Sequence, residues 1–175
     1  MAMDWERNTR LSTEGNAMVA AVSALGRLLM ALIFVRAGIN KLGTIAATTA
    51  AMRSHGIPYP DVLVWGAILV ELGGGLMLVA GLYARWVALA LFFYTLSLAL
   101  IFHAYWTVSD AAAARSDASF FFGHLSMMGG MLFVVAFGAG AYSIDALMGA
   151  GRALRSPRRT GIVSNELGLR RTRGP

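Results

Sequence analysis

Four long apolar runs dominate this chain and leave little choice of architecture. They cover residues 17–39, 62–83, 86–106 and 120–142, each interrupted by only one or two ionisable residues. A helix crossing a bilayer needs about 20 mostly apolar residues, because the hydrocarbon core is about 30 Å thick. The runs are too long for strands, and an open sheet could not satisfy its backbone in lipid. The expected fold is all-α: a polytopic membrane protein built as a bundle of four transmembrane helices.

Composition agrees. The 175 residues are 57% hydrophobic and 14% charged, against about 45–50% and 25% in soluble domains. There are no cysteines, which excludes disulfides, Cys-ligated iron–sulfur clusters and thiol chemistry within the chain. The net charge of +6 invites a nucleic-acid reading, but its distribution argues against one. Seven of the fifteen basic residues follow the last apolar run: Arg152, Arg155, Arg158, Arg159, Arg170, Arg171 and Arg173. A basic tail beside a membrane helix sets orientation and meets anionic lipid.

The chain divides into a leader over residues 1–16, a membrane domain over 17–142 and a basic tail over 143–175. The leader carries Asp4, Glu6, Arg7, Arg10 and Glu14, unlike a cationic secretory signal. The tail reads as an amphipathic stretch to Arg155, with disorder expected beyond Ser156. Between the second and third runs lies only Ala84-Arg85. By the positive-inside rule the Arg85 turn and the tail face the cytoplasm of a bacterial inner membrane. Four spans then place both termini there, with Lys41 and Arg53 as exceptions on the outside. The segment 44–53 reads as a short interfacial helix, and 107–119 as a polar loop.

Charges inside a span cost at least about 2.5–3.5 kcal/mol each, so each needs a partner or a purpose. Counting helix rise from the expected boundaries puts Arg27 roughly 12 Å deep, Glu71 roughly 15 Å and Tyr94 roughly 12 Å. These three are the candidate ligand-binding site, with Arg27 expected to face Glu71. Arg36, His103 and His124 form a second, outer group. Arg36 lies on the helix face opposite Arg27, so it is expected to snorkel away from the interior. Two histidines lack the count for a metal site. The glycines at 73–75 follow Glu71 and suit close helix packing, which puts the second span at the bundle centre.

Several of these residues recur in a known pattern. Arg27 followed by Phe34-x-x-x-Gly38-x-x-Lys41-Leu42 resembles the first-helix motif of the DoxX family. His55-Gly56-Ile57-Pro58 is similar to its approach to the second helix. Glu71-Leu72-Gly73-Gly74-Gly75 and Gly81-Leu82-Tyr83-Ala84-Arg85 are similar to its second helix and turn. The resemblance spans about residues 25–142 and carries over Gly38, Lys41 and Arg85 as pattern positions. It implies a four-helix membrane bundle associated with quinone-linked redox systems. The expected function is a membrane subunit of a redox or oxidative-stress assembly, with quinone as the expected cofactor and an oxidoreductase as partner. A non-enzymatic scaffold, and a small-solute or proton transporter acting as a homo-oligomer, are the alternatives. No P-loop, dinucleotide fingerprint or nucleophile elbow is present.

Overall fold

A computed structural model describes the backbone of residues 2–155 and the side chains of residues 14–150. The described residues are almost wholly helical. Helix α1 spans Ala2–Gly43, α2 Ile45–Ser54, α3 Pro60–Ile68 and α4 Gly74–Ala80, with a π-helical turn at Leu69–Gly73 joining the last two. Helices α5 (Ala84–Phe102), α6 (Ala111–Phe137) and α7 (Ile144–Arg155) follow. Four segments are long and apolar enough to cross a membrane: Glu14–Gly43, Pro60–Ala80, Ala84–Thr107 and Ala111–Phe137. The all-α polytopic bundle is therefore as expected.

The second span, α3 through α4, sits at the centre because its glycines admit neighbours on two sides. A Cβ on Gly75 would lie 3.0 Å from the Val35 backbone nitrogen of α1. One on Gly74 would lie 3.2 Å from Leu91 of α5. Gly38 of α1 completes the seam: a Cβ there would sit 2.8 Å from Leu72 Cβ and 2.9 Å from its backbone nitrogen. Lipid offers no hydrophobic drive between helices, so close backbone packing of this kind replaces it. Around the seam Ala31, Phe34, Leu78, Leu91 and Met131 form the core. The outward side chains are apolar, and Tyr59, Trp65, Tyr83, Trp86, Trp106 and Tyr142 are exposed, as interfacial aromatics are.

Boundaries differ from expectation in three places. Helix α1, at Ala2–Gly43, is longer than the apolar run at 17–39. Helix α6 begins at Ala111, so residues 111–119 are helix rather than loop. The reason is local: Asp110 accepts hydrogen bonds from the Ala112 and Ala113 backbone N–H groups at 3.1 and 2.8 Å, and the following alanines are the strongest helix formers. His124 thus lies well inside α6. The helix also stops at Phe137, before Gly138 with φ +83°. The short helix expected over 44–53 is α2, and the amphipathic extension is α7. The disorder expected beyond Ser156 lies outside the described residues.

Candidate functional site

Two polar centres lie within the bundle. The first is at the end bearing the Gly81–Arg85 turn. There α4 closes with Gly81 at φ +66°, the Gly81 N–H bonding to Leu78 O and the Leu82 N–H to Met77 O. A helix end still leaves carbonyls without partners. Arg27, 5% exposed, donates to Val79 O at 3.3 Å, to Tyr142 O at 2.8 Å and to Ala139 O. One guanidinium thus ties α1 to the end of the second span and to the segment after α6. Asp145 completes the knot from α7, its carboxylate accepting from the Tyr83 and Ala84 N–H groups at 2.8 and 2.9 Å. A carboxylate suits the positive N-terminus of α5. A side chain at Gly81 would be strained at φ +66°, and its Cβ would crowd Ser143 Cβ at 2.5 Å.

The second centre is built on the π-helical turn. Glu71, 2% exposed, accepts from Lys41 Nζ through both carboxylate oxygens at 2.8 Å. Its Oε1 also accepts from the Tyr94 hydroxyl at 2.7 Å. Lys41 lies in the last turn of α1, where the helix dipole favours a cation. Side chains tilt toward their own helix N-terminus, and α1 and the second span run antiparallel. Lys41 and Glu71 therefore lean toward each other, and Gly38 one turn away lets the backbones approach. Such single π turns are frequent at functional sites.

A cavity of about 140 Å³ adjoins this cluster, lined by Lys41, Thr48, Ala51, Met52, Tyr94, Leu98 and Phe102. Helix α2 roofs it, held by Met52 against Val64, Ala67 and Ile68 of α3. An apolar cavity of about 150 Å³ accepts a benzene-sized ring, so this one has the size of a single six-membered ring.

The expected Arg27–Glu71 contact is not formed. Counting depth from Val19 sets the boundary too far below the end of the second span: residues 18–26 run on beside the end of α6 and the segment after it, with Ser23 against Gly140 and Ala20 buried, while Met18, Val19, Val22 and Leu25 are 57–66% exposed. Arg27 is thereby level with the end of the second span, and Lys41, expected outside the membrane, reaches the interior. Lys41 is paired with Glu71, and Arg53 with Asp61 at 2.7 Å.

Tyr94 joins Glu71 as grouped in the sequence, while Arg36 is exposed on the opposite face of α1. His103 and His124 do come together, rings 5.1 Å apart, with His103 Nδ1 3.3 Å from Asp117 Oδ1. Among the described residues no three His, Cys, Asp or Glu side chains are placed to hold a metal ion. Arg85 lies beside Gly138, where a Cβ would sit 3.3 Å from its Nε.

The profile of the DoxX family matches residues 22–104. Inner membrane protein YqjF of Escherichia coli K12 is 34% identical over 124 residues, 71% of this chain and 89% of that protein. The chain belongs to the DoxX family. A second relative, inner membrane protein YphA of the same organism, is 31% identical over 121 residues, 69% of this chain and 86% of that protein. No solved structure matches.

For this DoxX protein the matched region contains Arg27, Gly38, Lys41, Glu71, Arg85 and Tyr94. It ends before α6, which supplies His124 and Asp117 to the outer group. Both polar centres also have members inside the match, yet the first is completed by α7 from outside it. Sequence reasoning placed Lys41 as a pattern position only. Its spacing from Gly38 was the available signal, since the two share a face one turn apart. Thr48, the other polar side chain of the cavity, carried no signal in the sequence.

Proposed function

We propose that this DoxX protein is a membrane subunit of a quinone-linked redox or oxidative-stress assembly, and that the Lys41–Glu71–Tyr94 cluster receives the quinone headgroup. What carries this reading is the hydrogen-bonded ammonium, carboxylate and phenol beside a ring-sized cavity. A bound quinone would supply two-electron, two-proton redox chemistry. The chain's own part is acid–base and positional. Lys41 and Tyr94 line the cavity with their donors turned to Glu71, and a side-chain rotation would bring either donor to a carbonyl oxygen. Glu71, in contact with both, can take up the proton either one releases. The apolar wall of Met52, Leu98 and Phe102 excludes water from that exchange. Electrons come from a partner oxidoreductase.

The same reading sets the protein in a bacterial inner membrane with both termini in the cytoplasm. Arg85 and the start of α7 share the turn end of the bundle. At the other end Lys41 and Arg53 are neutralised by Glu71 and Asp61, and Arg115 shares its segment with Asp110 and Asp117, so the positive bias lies on one side.

Quinone content of the protein purified in mild detergent tests the proposal. Near-stoichiometric quinone is expected in the wild type and loss of it in Glu71→Gln, Lys41→Met and Tyr94→Phe. Background quinone in all four, with each variant folded, would sink it. One observation favours a second reading, a non-enzymatic scaffold: Glu71 is already saturated by Lys41 and Tyr94, as a structural staple would be. In that case Lys41→Met with Glu71→Leu preserves cellular function, because well-packed apolar groups can replace a buried pair.

A further inference from the structure

A larger hollow lies at the turn end of the bundle, away from the Glu71 cluster. It is an open-sided groove of about 740 Å³ between α1 and α6, walled by Val22, Gly26 and Met30 on one side and Phe133, Val134 and Phe137 on the other. Val22, Phe133 and Phe137 are exposed, so the groove opens outward to lipid. Three features set it apart from an ordinary gap between helices. Arg27 lies on its wall. Both terminal nitrogens of that guanidinium donate to carbonyls, but Nε is buried and has no acceptor among the described residues. A buried donor left unpaired is costly, and an oxygen brought to it would relieve that cost. Arg85 stands at the end of the groove: Gly138 lines it, and a Cβ there would sit 3.3 Å from Arg85 Nε. Arg85 is exposed, and among the described residues no carboxylate pairs with either arginine. The third feature is Gly26. Glycine weakens a helix interior and is useful in a membrane helix where another backbone comes close. Nothing comes close here, since a Cβ on Gly26 would meet no atom within 4 Å. The missing side chain leaves room in the groove instead.

We propose that this groove is a binding site for an anionic phospholipid of the surrounding bilayer. One acyl chain lies between α1 and α6, over Gly26. Its ester carbonyl accepts from Arg27 Nε, and the phosphate faces Arg85. The apolar walls alone would take the chain of any lipid. The two arginines without a carboxylate add the preference for negative charge. The depth is suitable, because Tyr83, Trp86 and Tyr142 are exposed at the same end, and such aromatics sit at headgroup level. The groove shares no residue with the Lys41–Glu71–Tyr94 cluster, so it stands apart from the quinone reading.

Three lipids test this: phosphatidylglycerol, its diether analogue without the ester carbonyl, and phosphatidylcholine, all with the same chains. Each is titrated into the delipidated full chain in detergent, and bound lipid is read by native mass spectrometry. The wild type should hold phosphatidylglycerol about tenfold more tightly than phosphatidylcholine, the scale of one charge-assisted hydrogen bond. The diether should bind about fivefold more weakly than the ester, the scale of one neutral hydrogen bond. Arg85→Gln should bring the headgroup ratio to about one. Gly26→Leu fills the groove without a clash and favours the helix, so it should melt no earlier than the wild type and lose all three lipids. Equal retention of the three lipids by the wild type, a headgroup ratio unchanged in Arg85→Gln, or unchanged retention in Gly26→Leu overturns the proposal. A lipid-free dimer that Gly26→Leu turns into a monomer also overturns it and gives the groove to a second copy of the chain.

Discussion

The two polar centres use similar charges to opposite ends. At the turn end, Arg27 spends its guanidinium on backbone carbonyls of two segments, and Asp145 spends its carboxylate on backbone N–H groups. Those partners are fixed by helix ends and cannot move away without unwinding the chain. In the interior, Lys41, Glu71 and Tyr94 bind one another through side chains, and two of them face a cavity. A charge committed to the backbone closes the fold. A charge shared among side chains beside open space remains available to a ligand. Burial alone does not separate the cases, since Arg27 and Glu71 are 5% and 2% exposed.

The contrast predicts different responses to substitution. The largest effect is expected at Glu71. Glu71→Ala strands Lys41 and should cost about 3–5 kcal/mol, with Lys41→Met in the same chain recovering most of it. Unfolding in detergent with added denaturant measures both, and an absence of rescue would erase the distinction between the centres. Arg27→Leu leaves three carbonyls without their donor and should cost about 3 kcal/mol, near 1 kcal/mol for each. No single second substitution should rescue it, because its partners are backbone. Quinone per folded molecule should be unchanged in that variant, and a loss there would merge the two centres functionally. Asp145→Ala removes the α5 cap and should cost about 1–2 kcal/mol, read as earlier melting by circular dichroism. Tyr94→Phe removes one hydrogen bond and should cost about 1 kcal/mol, yet abolish quinone retention. A large stability loss with retained quinone would place Tyr94 among the structural residues instead.

The fold was legible because lipid imposes a length and an apolarity that residues 17–142 display openly. The facing of residues was legible too: a 100° step puts Arg27, Phe34, Gly38 and Lys41 on one stripe, and Arg36 opposite, as found. Depth was not legible. An apolar run has no mark that says where its neighbours end, and α1 continues its apolar residues past the end of the second span. An error of that kind moved Arg27 into the interior and Lys41 out of it, and so exchanged the partner of Glu71. The start of α6 was missed for a related reason. Polarity suggested a loop, while Asp110 and the alanines after it carry a helix start that does not depend on being apolar.

The π-helical turn has one more consequence. A hydrogen bond closing over five residues rather than four holds one residue more than the neighbouring turns do. The flanking stretches α3 and α4 keep their phases, so the extra residue is accommodated as a local bulge. Deleting one residue within 69–73 would let the turn relax to ordinary α-helix, with Val64 and Ile68 still toward α2 and Leu78 still in the core. The presentation of Glu71 would change, and with it the seating of Leu72 against Gly38. The site and the helix seam thus share one turn, so that the geometry that presents Glu71 is tied to the packing of the second span on α1.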